Sequence, residues 1–189
     1  MKRKMLSLCV LSLLAVVMSC TIYQMFFALP HIQSHQGDGR FENHSHRIGP
    51  FAISGYSIMM PKFVLNKPKH IEYRLTKLPY IRRRCGVFFA VNTDDDNWRE
   101  KLQIDLCATL QLEIIGSSGE TVVNLSGKLS DFTVYSSSVM DFIALYPRNN
   151  NSVFVPDPRE KYIVRIIYTP DPKLKDYQGF VFFECGGSK

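Results

Sequence analysis

Apolar and polar residues alternate in short segments from residue 71 onward. The clearest segment is 104–114, where every even-numbered residue is apolar and Cys107 shares the other face with Asp105 and Thr109. Alternation with a period of two is typical of a half-buried strand, because successive side chains point to opposite faces. An apolar segment at 121–126 follows the glycine-containing turn 116–119. The two segments predict a β-hairpin.

Further short strands are predicted along the rest of the chain, at 71–76, 85–92, 132–135, 142–146, 162–168 and 180–185. Segment 85–92 is apolar on both faces, which indicates an interior strand. Asp96 or Asn97 could cap only a short turn through 98–101, because alternation begins again at residue 104. About seven to nine short strands without intervening helices predict an all-β fold. We expect an antiparallel immunoglobulin-like β-sandwich over residues 48–189, preceded by an N-terminal signal or anchor helix.

The first 29 residues have a different pattern, that of an export signal. Lys2, Arg3 and Lys4 precede an uncharged apolar run over residues 5–18, which is the composition of a secretory signal peptide. The sequence Val17-Met-Ser-Cys20 then resembles the lipobox of bacterial lipoproteins. The resemblance implies a signal peptide at residues 1–19, cleavage before Cys20 and acylation of Cys20.

Two alternatives to acylation stay open. The uncharged stretch continues to Leu29, and residues 5–29 are long enough to cross a bilayer as an uncleaved anchor. Ordinary cleavage without lipid is the third interpretation. All three place the folded domain outside the cytoplasmic membrane, in the cell envelope and on the periplasmic side of a bacterial membrane.

Residues 20–47 are predicted to be a tether between membrane and domain. From Pro30 the segment is polar and contains glycine without clear periodicity. It also contains four of the five histidines, at positions 31, 35, 44 and 46. Imidazoles bind zinc, copper or nickel. A flexible segment has no rigid shell around such ligands, so we favour a polar spacer and predict no metal or other cofactor.

Composition narrows the function classes. The chain has 189 residues, 46% of them apolar, which suits one folded domain rather than a disordered chain. The formal charge is +6, and three of those charges belong to residues 2–4. Removal of the signal would leave +3, and no nucleic-acid-binding module is recognisable, so we expect no nucleic-acid partner.

The five cysteines fall into two groups, those of the N-terminal signal region and those of the folded domain. Cys9 belongs to the signal and Cys20 to the proposed acylation, which leaves Cys85, Cys107 and Cys185. An exported chain meets an oxidising environment, in which disulfides form. Cys85 and Cys185 share the parity of the apolar residues in their strands, so we predict that these two pair and that Cys107 is free. Three buried thiols are the alternative.

Loops supply the candidate binding residues. Asn149, Asn150 and Asn151 offer hydrogen bonds in the loop 147–159, and Phe154 is a possible apolar anchor. The alternative is that Phe154 packs back onto the core.

Charged runs flank the interior strand. Arg82, Arg83 and Arg84 precede it, and with Lys67, Lys69 and Lys77 they could form a basic patch for lipid headgroups, anionic polymers or an acidic protein. The alternative is a solvated loop. Residues 94–96 are three aspartates after the strand, but they lack the spacing of a calcium-binding EF-hand loop.

Signatures of catalysis are missing: the chain contains neither G-x-S-x-G nor H-E-x-x-H, and no P-loop.

The segments Val17-Met-Ser-Cys20, 69–75 and 110–123 together resemble uncharacterised lipoproteins of Gram-negative bacteria that carry one Ig-like domain. The resemblance implies location and fold and transfers no functional residues. We therefore expect a membrane-tethered protein-binding module rather than an enzyme, such as an immunity protein against an envelope-acting toxin. The alternative is a structural accessory of a secretion or surface assembly.

Overall fold

The described part of the computed structural model consists mostly of antiparallel β-strands and contains little helix. The structure describes residues 12–19, 22, 32–48, 51–81, 83–92, 107–135, 142–147 and 152–186. Residues 12–19 have helical backbone. No helix in these described ranges is both long and apolar enough to cross a membrane.

The described residues contain fifteen strands. They are β1 (Gln36–Gly37), β2 (Arg40–Asn43), β3 (His46–Ile48), β4 (Phe51–Ile53), β5 (Gly55–Met59), β6 (Phe63–Val64), β7 (Lys69–Thr76), β8 (Cys85–Asn92), β9 (Thr109–Ile115), β10 (Thr121–Lys128), β11 (Phe132–Tyr135), β12 (Phe142–Pro147), β13 (Val153–Phe154), β14 (Lys161–Thr169) and β15 (Gln178–Gly186). Single 3-10 turns lie at Leu129–Asp131 and Pro172–Leu174.

The strands form two principal antiparallel sheets. Sheet A has the order β1-β7-β14-β9-β10, and sheet B has the order β11-β12-β8-β15-β5-β2. The short strands β13 and β6 add to β8 and β15 of sheet B, while β3 and β4 form a separate two-stranded ribbon.

The eight strands of five or more residues pair in a nested manner. In chain order, the first (β5) pairs with the last (β15), and the second (β7) pairs with the seventh (β14). The third (β8) pairs with the sixth (β12), and the fourth (β9) pairs with the fifth (β10). This is the pairing of a rolled-up hairpin, the double-sheet jelly roll.

The antiparallel sandwich predicted from the sequence is therefore confirmed. Its strand order differs from that of an immunoglobulin constant domain, where the first two strands lie in one sheet. Here the first two long strands, β5 and β7, lie in different sheets.

One hydrophobic core lies between the two sheets. Sheet A contributes alternate residues of its central strands, and Leu112 and Val164 are fully buried. Sheet B contributes Phe89 and Phe183, which have the same inward orientation. Burial of these apolar side chains is the main source of folding free energy.

Sheet B is buried on its second face as well. Ala90, Phe180 and Phe182 alternate with the core-facing residues of β8 and β15, and they form a second buried cluster with Met59 and Phe88 at its margin. The prediction that 85–92 is apolar on both faces and lies inside a sheet is confirmed, since β8 pairs with both β12 and β15.

The predicted hairpin is confirmed, with β9 and β10 joined through the turn 116–120. Gly119 lies in this turn with a positive φ of 84°, a conformation that disfavours other residues. The even-numbered residues Leu110, Leu112 and Ile114 face the core as predicted, and Cys107 is an exposed free thiol.

The predicted disulfide between Cys85 and Cys185 is present. These residues lie directly opposite each other on β8 and β15, with their Cα atoms 4.0 Å apart. The bond therefore links neighbouring strands of one sheet, unlike the inter-sheet disulfide of antibody domains.

The predicted tether needs a correction, because its C-terminal part belongs to the sheets. Strand β1 pairs with the end of β7, and β2 pairs with β5 along four residues. Phe41 stacks on buried Tyr56, with ring centroids 5.3 Å apart. The segment looks polar because its strands are short edge strands whose other side chains face solvent.

Candidate partner-binding edge

Strand β10 forms an open edge of sheet A. Within the described residues, β10 pairs with β9 and with no other strand. Its outward side chains, including Asn124 and Ser126, are exposed, whereas Val123 and Leu125 are buried in the core. A strand at a sheet edge presents unpaired backbone N–H and C=O groups, to which another strand can pair.

Few features of β10 prevent its edge from pairing with a strand of another protein. Its centre, residues 123–127, carries neither a charge nor a proline, and Lys128 lies at its end. A register shift between Thr121 and Val123 disturbs only the beginning of the strand. The edge of β7 at the other side of sheet A is partly covered by β1.

The outer face of sheet A continues from this edge. Arg165 of β14 lies between Glu72 and Glu113, and its guanidinium donates to both carboxylates at 2.9 and 3.4 Å. Its hydrogen bond to Glu72 is the main cause that raises the pKa of Arg165 above its ordinary value. Exposed apolar side chains, Val122 and Ile167, lie on this sheet as well. Such a mixture of apolar and paired charged groups is more typical of a surface that binds another protein than of a small-molecule site.

A second polar cluster lies on the outer face of sheet B. Ser57 is buried between Glu42 on β2 and Glu184 on β15, which are its partners in register. The Nε2 atom of His44 lies 2.7 Å from the Ser57 hydroxyl and 4.0 Å from Glu42. Burial raises the pKa of the Glu184 carboxyl, and the nearby His44 opposes that rise.

Glu42 is not placed as the orienting carboxylate of a catalytic triad. A serine hydrolase requires the carboxylate on Nδ1 of the histidine and the serine on Nε2. Here Glu42 and Ser57 both approach Nε2 of His44, and Ser57 is 1% exposed. The cluster instead satisfies a buried hydroxyl.

A cleft of about 550 Å³ lies at one end of the sandwich. Its lining comes from the segment before β1, the start of β5, the β7–β8 connection and the loop before β14, namely Ile32, Gln33, Ser54, Lys77, Leu78, Pro79, Tyr80, Ile81 and Pro158. Lys77 is the one non-glycine residue with positive φ in the described ranges, at 54°.

Of the binding residues predicted from sequence, Arg83 and Arg84 are exposed before β8. Lys77 lies at the same end of the sandwich, because it follows β7 directly. Lys67 and Lys69 lie at the opposite end, since β7 is about 23 Å long at 3.3 Å per residue. The predicted six-residue basic patch is thus divided by the strand.

Several predicted features lie outside the described residues. They are Cys20, His31, Arg82, the possible helical turn 96–101, the aspartates 94–96 and the three asparagines Asn149, Asn150 and Asn151.

Phe154 requires a correction, because it is a core residue. It is 7% exposed, and its ring makes edge contacts with Tyr162 and Phe183, with centroids 5.5 and 6.4 Å apart. The backbone of β13 pairs with β8 and turns the side chain inward. The structure follows the alternative interpretation, in which Phe154 packs back onto the core.

The histidines of the predicted tether make local contacts. His35 is buried against Phe41, and its Nε2 atom lies 2.8 Å from the Asp38 carbonyl oxygen. His44 bonds Ser57 as described above. Among the residues that the structure describes, no three His, Cys, Asp or Glu side chains are grouped so that they could hold a metal ion.

The β10 edge was missed by sequence reasoning, although the strand itself was predicted. Alternation identifies which residues face the core but not which neighbour a strand has in the sheet. The polar centre of the strand, with asparagine, serine and glycine, is a weak signal of an edge.

Comparisons with protein-family models, with curated proteins and with solved structures found no match for this chain.

Proposed function

We propose that this chain is an exported, membrane-tethered β-sandwich that binds a protein partner by strand addition along β10. The observation that carries the proposal is the open edge of β10, a strand of eight residues whose centre has no charge or proline. A partner strand would gain main-chain hydrogen bonds at this edge and specificity from alternate side chains.

Two features support the proposed location outside the cytoplasm. The N-terminal pattern is that of an exported lipoprotein acylated at Cys20, and the Cys85–Cys185 disulfide suits an oxidising compartment. The strand order is that of a jelly roll rather than that of an immunoglobulin domain. Fold by itself assigns no function.

The test compares two variants of the full chain with equal added charge. Asn124→Lys with Ser126→Lys places two cations on the open edge strand, where charge discourages strand pairing. Ile167→Lys with Thr169→Lys places two cations on the same face of sheet A, on the interior strand β14. Proteins that co-purify from solubilised membranes are quantified for the native chain and for both variants.

We expect a partner that the native chain and the β14 variant recover equally and that the β10 variant recovers at least about tenfold less, a loss equivalent to about 1.4 kcal/mol. Circular dichroism and melting temperature verify that both variants fold. If no protein is depleted selectively by the β10 variant, strand addition at this edge is wrong. If both variants lose the same partner, the outer face rather than the edge is the binding surface.

A further inference from the structure

The hydrogen bonds between β9 and β10 determine which backbone groups of β10 face its open edge. Leu129 continues the register of this pair, and its N–H donates to the carbonyl oxygen of Ala108, the residue opposite, at 2.9 Å. In an antiparallel pair, residues that exchange backbone hydrogen bonds alternate with residues that do not. The odd-numbered residues of β10 therefore bond to β9, whereas Asn124, Ser126 and Lys128 direct their backbone N–H and C=O groups away from it.

The opposite edge of sheet A agrees with this alternation. Continued through β9, β14 and β7 in their observed registers, it predicts that the backbone groups of Arg74 point away from β14. Both groups bond to Asp38 beyond β7: the N–H donates to its carboxylate at 2.7 Å, and the carbonyl accepts from its N–H at 2.9 Å. The orientation assigned to the β10 backbone is thus consistent across the whole sheet.

The regular part of the β10 edge is residues 124–128, here called the edge segment. The register shift between Thr121 and Val123 interrupts the strand before it, and the 3-10 turn Leu129–Asp131 follows it. A Cβ atom on Gly127 would meet only the Phe132 ring at 3.7 Å and the Asp131 carboxylate at 4.0 Å, so the inner side of the segment is not filled. A glycine inside a strand is often found where another backbone approaches closely.

The edge segment is complementary to a second copy of itself. If two copies run antiparallel about a two-fold axis at Ser126, each Asn124 lies opposite Lys128 of the other copy, and the two Ser126 residues face each other. All three outward residues of both copies then exchange backbone hydrogen bonds. An axis at any other position leaves at least one of the three outside the regular pairing.

The side chains agree with the same arrangement. Asn124, Ser126 and Lys128 are all exposed on the outer face of sheet A. In this register the Lys128 ammonium lies beside the Asn124 amide, whose oxygen is an acceptor, and the two Ser126 hydroxyls can bond to each other. Like charges do not face each other across the edge segment, a juxtaposition that would destabilise the pair.

We propose that the strand bound by β10 is β10 of a second copy of this chain, paired antiparallel about Ser126. This inference rests on the proposed function, because it names the partner of the same edge. The two five-stranded A sheets would become one continuous sheet of ten strands. Such an interface uses the same surface on both copies and closes on itself, so it yields a dimer and leaves no open β10 edge for further strand addition.

The first measurement is the molar mass of the purified full chain in detergent, determined by light scattering during size-exclusion chromatography. We expect the mass of two chains for the native protein and for the control variant Ile167→Lys with Thr169→Lys. Asn124→Lys with Ser126→Lys should have the mass of one chain, because both substituted positions would then face cations of the other copy. Its dissociation constant should be weaker by roughly tenfold or more.

The second measurement tests the register with a thiol cross-linker whose two reactive groups are two carbons apart. The background is Cys107→Ser, which removes the exposed free thiol and serves as the baseline for the other cysteines. Ser126→Cys should cross-link to its own copy, because opposite Cα atoms in a hydrogen-bonded pair are about 5.5 Å apart. Asn124→Cys alone and Lys128→Cys alone should not, since the two equivalent positions lie about 14 Å apart along the strands. A mixture of these two variants should cross-link, and Thr169→Cys, on the interior strand β14, should not.

The outcomes distinguish this inference from the proposed function. A native chain with the mass of one chain, together with a different protein that only the β10 variant fails to recover, overturns the inference and leaves strand addition intact. A two-chain mass that persists in the Asn124→Lys, Ser126→Lys variant would place the dimer interface elsewhere and also overturns it. Cross-linking of Asn124→Cys to its own copy contradicts the axis at Ser126. A one-chain mass with no protein depleted by the β10 variant contradicts both proposals.

Discussion

At the scale of the residue, Glu184 is a carboxylate placed where burial opposes its charge. It lies on β15 opposite Ser57, and burial raises the pKa of its carboxyl above the ordinary value. The folded state therefore binds a proton more readily than the unfolded state between the ordinary pKa and the raised one. Stability falls as the pH rises through that window, and the loss is complete above the raised pKa.

Glu184→Gln should remove this cost. We expect the melting temperature at pH 7 to rise by about 1–3 °C, and the difference from the native chain to vanish near pH 4. Calorimetric melting between pH 4 and pH 8 measures it. Glu120→Gln, on the exposed turn of the β9–β10 hairpin, is the matched control. It should leave the melting temperature unchanged over the same pH range. Superimposable native and Glu184→Gln profiles would show that the ionised Glu184 costs no stability.

At the scale of the element, Asp38 fastens the N-terminal strands to sheet A. It lies between β1 and β2, its carboxylate accepts from the Arg74 backbone N–H at 2.7 Å, and its own N–H donates to the Arg74 carbonyl. The preceding Gly37 has a φ of 120°, and a side chain there would collide with the Arg74 carbonyl. Composition marks this segment as a linker, yet a turn with one aspartate and two glycines holds it on the sheet.

Asp38→Ala should loosen β1 and β2 while the rest of the sandwich stays folded. A hydrogen bond to a charged acceptor contributes about 1.5–3 kcal/mol, so we expect faster amide exchange at Arg74 and a stability loss of that order. Exchange measured by mass spectrometry and urea denaturation report the two effects. Asp176→Ala, an exposed turn residue, is the control. Unchanged exchange at Arg74 would show that Asp38 does not hold these strands.

At the scale of the whole molecule, the disulfide connects strands that are distant in sequence. Cys85 and Cys185 are 100 residues apart and lie on β8 and β15, the central pair of sheet B. In the nested order, most of the jelly roll lies inside the loop that this bond closes. A cross-link over such a loop restricts the unfolded chain more than the folded one.

Loss of this bond should therefore destabilise the entire domain. We expect the double variant Cys85→Ala with Cys185→Ala to lose roughly 4 kcal/mol of unfolding free energy, whereas Cys107→Ser should change it by less than about 0.5 kcal/mol. Guanidinium denaturation under non-reducing conditions measures both. Reduction should abolish most of the difference between the native chain and the double variant. An equal loss in Cys107→Ser would contradict the assignment of Cys107 as a free surface thiol.

The sequence by itself determined eight of the fifteen described strands, though not β5 or the short strands, and showed which of their side chains face inward. Leu110, Leu112 and Ile114 face the core because a strand has a period of two, which a local pattern records completely. The same parity selected Cys85 and Cys185 as the disulfide partners and left Cys107 on the solvent side. These are properties of single strands, and neighbouring residues are sufficient to specify them.

Only the tertiary structure decided which strands are neighbours and what each surface holds. The nested order, the open edge of β10, the inward turn of Phe154 and the attachment of residues 36–43 all depend on contacts between segments far apart in the chain. The cleft likewise joins Ile32, Lys77 and Pro158, which are far apart in sequence. Alternation shows which side chains are buried but not which strand packs against them, because any apolar face can supply the same free energy of burial.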